Sequence, residues 1–235
     1  MSPFLKILET KVQLAALTFM AVVYVIRLIW LFRFKRARER TYAQGNEKAG
    51  IAYSLSNIAR PGAMESTRRH PFFYAQFVIF HVGITAAIAA TFIIPYAPRL
   101  FENAVVVVIF QAVIGLAFLV GILRLIRRIS RPALRLISTP DDYFSLALMI
   151  LFFAAGVQAV PNTPERAEWP LIAFFGLTAF FLVYVPFSKI CHYLYYPFTR
   201  YYFGKKLGHR GVLPVRRPGD KFQAVPRESR GAAAE

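Results

Sequence analysis

Five apolar runs, each long enough to cross a bilayer and each followed by a turn-rich or charged segment, constrain this chain more than any other feature. They cover residues 12–34, 71–94, 104–126, 143–160 and 170–196. At about 1.5 Å per helical residue, about 20 residues cross the roughly 30 Å of hydrocarbon in a bilayer. Backbone amides in lipid must be satisfied within the segment, so runs of this length imply helices. With 57% hydrophobic residues, 23 Phe and 12 Tyr in 235 residues, the chain holds more apolar surface than one soluble core could hide. The expected fold is therefore all-α: an integral membrane bundle of five transmembrane helices over residues 1–210. Residues 211–235, rich in Pro, Gly, Arg and Ala, show no apolar periodicity and read as a disordered tail.

Charge sets the expected orientation. The net charge of +17 would suggest nucleic acid in a soluble protein, but the basic residues gather between apolar runs and are not interleaved with stacking aromatics on a polar domain. No nucleic-acid partner is expected. Arg33, Lys35, Arg36, Arg38 and Arg40 follow the first run, and Arg124, Arg127, Arg128, Arg131 and Arg135 close the third. The loops after the second and fourth runs hold little beyond Arg99 and Arg166, with Glu102, Glu165 and Glu168 nearby. Positive loops stay cytoplasmic, which puts the N-terminus outside and the C-terminus inside a multi-pass protein of the cell inner (cytoplasmic) membrane. The first run is too long for a removable signal peptide and is read as a retained span.

Ionisable groups inside such spans are expensive and mark function. His81 lies within the second run and His192 near the cytoplasmic end of the fifth. The two helices would run antiparallel, so the rings could meet, and Gly83, Ala86, Ala87, Ala89 and Ala90 would leave room for a flat macrocycle. Two imidazoles facing one another are the axial pair of a haem iron. His70 and His209 form a second pair, and His70 lies eleven residues before His81, on the same helix face. Neighbouring Arg68, Arg69 and the stretch GKKLGHRG favour surface positions for both. Pro197 is expected to interrupt regular helix. Cys191, the single cysteine, excludes a disulfide framework, a CxxCH haem attachment and a cysteine-borne cluster. Gln111 and Gln158 read as helix bridges, with contact to a quinone as the alternative, Asp141 and Asp142 as helix-capping residues, Met20 and Met149 as packing and Trp169 as an interfacial anchor.

FHVGI at residues 80–84, PFSKICH at residues 186–192 and the stretch from Arg127 through Pro132 and Arg135 to Asp141 together resemble the gamma, or cytochrome b, subunit of respiratory nitrate reductase. Related membrane subunits of heterodisulfide-reductase-like complexes share the pattern, which spans about residues 70 to 200. The resemblance implies that His81 and His192 ligate a haem b and its iron. It further implies electron exchange between quinone, as substrate, and a cytoplasmic iron–sulfur or flavin oxidoreductase subunit. The family's outer haem would need ligands where this chain has Thr91 and Phe174, so one haem is expected, with a second only if His70 or His209 serves it. The alternatives are a haem-free membrane anchor for a soluble oxidoreductase and, less well matched, a small-solute transporter, for which neither an inverted repeat nor paired broken helices are evident.

Overall fold

The computed structural model describes residues 1–34, 39–60 and 68–215. Within them every regular element is helical. We number the helices α1 (Pro3–Arg33), α2 (Glu47–Ala59), α3 (Pro71–Tyr96), α4 (Ala104–Ser130), α5 (Pro132–Leu136), α6 (Pro140–Ala159), α7 (Trp169–Tyr184) and α8 (His192–His209). Five of the helical segments are long and apolar enough to cross a membrane: α1, α3, α4, α6, and α7 with the 3₁₀ turn that carries it to Phe187. The expected five-helix, all-α membrane architecture is what the chain forms. Expectations for Lys35, Arg36 and Arg38, and for the tail beyond Val215, lie outside the described residues.

The chain divides into two compact units, one made of residues 1–32 and 72–191 and the other of 33–71 and 192–235. The first unit contains the apolar core, in which Ile114, Phe153, Leu171, Phe174 and Phe175 are almost wholly buried. Phe152 stacks on Phe174 with centroids 5.1 Å apart, and Phe80 meets Phe153 edge to face at 5.3 Å. In lipid the hydrophobic effect does not drive helices together, so close packing and interhelical hydrogen bonds carry the association. Gly83 shows the first: a Cβ there would stand 2.1 Å from the Ala117 Cβ, so α3 and α4 touch nearly backbone to backbone. Gln111 shows the second, donating from Nε2 to the Val157 carbonyl at 3.0 Å and bridging α4 to α6 as expected.

Three sequence-derived boundaries are corrected. The first span begins earlier than residue 12, because Ser2 caps it and a π-helical turn, Leu8–Val12, continues it. The fifth stops well before residue 196. Pro186 lacks the amide that a helix needs, and Ser188 turns extended, with φ −98° and ψ 171°. Ser188 Oγ donates to the Val185 carbonyl and accepts from the Ile190 amide, each at 3.1 Å. It thus closes one helical segment and caps the next turn. His192 consequently opens a new helix instead of ending the last span. Pro197 lies inside that helix; the missing amide removes a hydrogen bond without stopping it.

The second unit is built around α2 and α8. Their axes come close because Gly50, Gly204 and Gly208 face one another: a Cβ on Gly50 would meet the Gly204 carbonyl oxygen at 2.4 Å. Ser54, wholly buried, donates to the Arg200 carbonyl at 2.7 Å, while the Arg200 guanidinium donates back to the Ser54 carbonyl at 3.0 and 3.1 Å. Asn46 caps α2 through the Ala49 amide.

Candidate functional site

His81 sits half-buried on α3. Its Nδ1 lies 2.7 Å from the carbonyl oxygen of Phe77, one turn earlier. A carbonyl only accepts, so Nδ1 carries the proton and, in the neutral ring, Nε2 carries the lone pair. A metal-ligating imidazole is commonly oriented in this way, with the other nitrogen donating to a backbone carbonyl. The Phe77 ring lies against the imidazole, its centroid 4.0 Å away. At about 100° per residue, Gly83, Ala87 and Ala90 lie roughly 180–240° around the helix from His81. Those residues are buried, and Gly83 receives Ala117. Gly83, Ala87 and Ala90 therefore serve helix packing on the far side of α3, which corrects the expectation that these three make room for a macrocycle. Ala86 and Ala89 are half-buried, and at the same angular spacing Ala89 lies nearer the imidazole face.

His192 is exposed at the first position of α8, its ring edge-on to Tyr193 at 6.4 Å. His81 belongs to the first unit and His192 to the second. His70, also in the second unit, is exposed just before α3. His209 is placed differently: Nδ1 lies 3.1 Å from Glu47 Oε1 and Nε2 lies 2.8 Å from the Thr41 carbonyl oxygen. Both partners accept, and both ring nitrogens are taken up in holding the end of α8 to the start of α2.

Thr91 and Phe174 occupy the positions at which the resemblance would require outer-haem ligands. Thr91 is buried and donates to the Ile88 carbonyl at 2.7 Å. Phe174 is wholly buried against Phe152 and close to Gly156.

The sequence reading missed a polar cluster centred on Lys189, the lysine of PFSK. Its Nζ donates to Asp142 Oδ2 and to Thr139 Oγ1, both at 2.8 Å, and its amide donates to Asp141 Oδ2 at 3.2 Å. Tyr184 donates to Asp141 and meets Ser145 Oγ at 2.9 Å. Arg128 donates to Ser138 Oγ at 2.6 Å and approaches Asp142 at 3.8 Å. Asp142 forms a capping box with Thr139, the role expected of it, whereas Asp141 serves Tyr184 and the Lys189 amide instead. The cluster ties the end of α4, the start of α6 and the segment after α7. The available signal was a lysine three residues after a helix-breaking proline together with acidic residues at a helix start. Nothing in one sequence pairs them across some 47 positions.

These elements define a multi-pass, all-helical membrane protein with an oriented imidazole in its second span. No family model matches the chain. A curated protein of Nitratidesulfovibrio vulgaris, described only as "Protein", is 27% identical over 192 residues, covering 74% of this chain and 80% of that protein. No solved structure matches.

Proposed function

We propose that the chain is a membrane b-type cytochrome subunit of a respiratory oxidoreductase of the inner membrane. It would carry electrons between the quinone pool and a cytoplasmic iron–sulfur or flavin subunit. The observation that carries this reading is the His81 Nδ1 to Phe77 carbonyl hydrogen bond, which orients an imidazole inside a membrane span with Nε2 as its basic nitrogen. A pair of imidazoles is a donor set that haem iron takes, and the resemblance around PFSKICH supplies His192 as the second ligand. A haem held by two imidazoles has no open iron position and supplies one-electron transfer rather than oxygen chemistry. His81 holds the proton on Nδ1 and presents Nε2. Phe77 packs against the imidazole ring.

A reduced-minus-oxidised spectrum with pyridine-haemochrome quantification tests the proposal. One haem b per chain, lost in His81→Ala and in His192→Ala, is the expected result. Well-folded protein without haem would overturn it in favour of a haem-free anchor. That second reading draws on the packing at Thr91 and Phe174, which commits both positions to the helix bundle.

A further inference from the structure

The first span contains an acidic residue that haem ligation does not use. Glu9 lies in the π-helical turn Leu8–Val12 and is 7% exposed. Among the described residues its carboxyl has no hydrogen bond and no ion pair. An ionised carboxylate without a partner in an apolar setting costs so much that such a group neutralises instead. Gln13 stands four residues on, on the same helix face. Its amide orientation is fixed because Nε2 donates to the Phe175 carbonyl at 2.7 Å and to the Leu8 carbonyl at 3.3 Å, neither of which can donate in return. Gln13 Oε1 is therefore an acceptor, it is buried, and among the described residues nothing donates to it. Gln13 Oε1 lacks a donor, and Glu9 has no contact partner among the described residues, only the through-space field of the exposed Lys6; a single proton satisfies both.

We propose that Glu9 carries a proton within the span and donates it to Gln13 Oε1, the pair forming an intramembrane proton-binding site. The ligand is a proton: Glu9 gains an O–H bond on binding and returns to carboxylate on release. Lys6 and Lys11 are the cations nearest on the same helix, and both are exposed. The facing part of α7, from Trp169 to Phe175, holds no titratable side chain. The Phe175 carbonyl sets which way the Gln13 amide points, so the site exists only when α1 is docked on α7. π-helical turns inside α-helices recur at functional positions, and this one holds the acid. The proposal is independent of haem.

Infrared spectroscopy of the full chain in liposomes at neutral pH tests it. The wild type should show a neutral-carboxyl stretch that shifts in D₂O. Glu9→Gln should lose that band and keep the fold, since its amide can donate to Gln13 Oε1 in place of the acid. Gln13→Leu should move the band to higher frequency, as expected for a carboxyl that has lost its acceptor. If Glu9→Gln removes only carboxylate bands, or the wild type shows no neutral-carboxyl band, the proposal is overturned. Should Glu9→Gln fail to fold, the wild-type and Gln13→Leu spectra decide the matter alone.

Discussion

Asp142 accepts from the Thr139 amide and hydroxyl and from Lys189, while Asp141 accepts from Tyr184 and from the Lys189 amide. Their energetic weights differ. Lys189 is more than half exposed, and an exposed ion pair contributes about 0–1 kcal/mol. The capping box closes a helix start, where losing the cap costs about 1 kcal/mol. Asp142→Ala should therefore destabilise the protein more than Lys189→Ala, measured by thermal unfolding in the same detergent. In the second unit, the Arg210 guanidinium, with Nη2 3.2 Å from each carboxylate oxygen, holds the Glu39 carboxyl below its ordinary range, and the Thr41 hydroxyl adds to this. A lowered carboxyl contributes stability above its unfolded value, and that contribution is lost as pH falls through the folded one. The melting difference between wild type and Glu39→Gln should be present above the ordinary carboxylate range and shrink as pH falls below it.

At the scale of elements, the close approaches make sharper predictions. A Cβ at Gly83 would overlap Ala117, and one at Gly50 would overlap the backbone of α8, which cannot swing aside as a side chain can. Each Gly→Ala change should cost about 1–3 kcal/mol, the usual range for overpacking. Gly50→Ala should in addition speed tryptic cleavage at Lys48, near the start of α2. The spans were legible in the sequence because lipid demands long apolar runs, and the cap at Asp142 was legible because it is local. Other features were hidden for identifiable reasons. The helix break at Pro186 is followed by apolar and aromatic residues through Tyr196 with only Ser188, Lys189 and His192 among them, so hydropathy passes over it. The α2 helix draws its packing from glycines and Ser54, which carry no apolar signal. Gly83 looked like room for a ligand because a sequence shows that a residue is small without showing what fills the space. The imidazole of His81 was legible as a candidate; the carbonyl that orients it was not, since any helix offers one.

For the whole molecule, successive spans should place the Asn103 side and the Glu165 side of the bundle together, opposite the α4–α6 connection. In a Cys191→Ala background, Glu102→Cys and Glu165→Cys should react with a membrane-impermeant maleimide added outside cells. Ile137→Cys should react only after lysis. The reverse pattern would invert the proposed topology. The first span has a further consequence at this scale, for only 6% of its most apolar window is buried. Gln13 on this span donates to the Phe175 carbonyl, and the Phe187 ring lies 6.2 Å from Phe19 and 5.6 Å from the Arg27 guanidinium carbon. Phe175 and Phe187 both belong to the fifth span. During synthesis α1 enters the bilayer well before α7, so the Phe175 carbonyl reaches Gln13 only after the intervening spans have been inserted. Until α7 is in place, the amide of Gln13 is left with the Leu8 carbonyl of its own helix, 3.3 Å away.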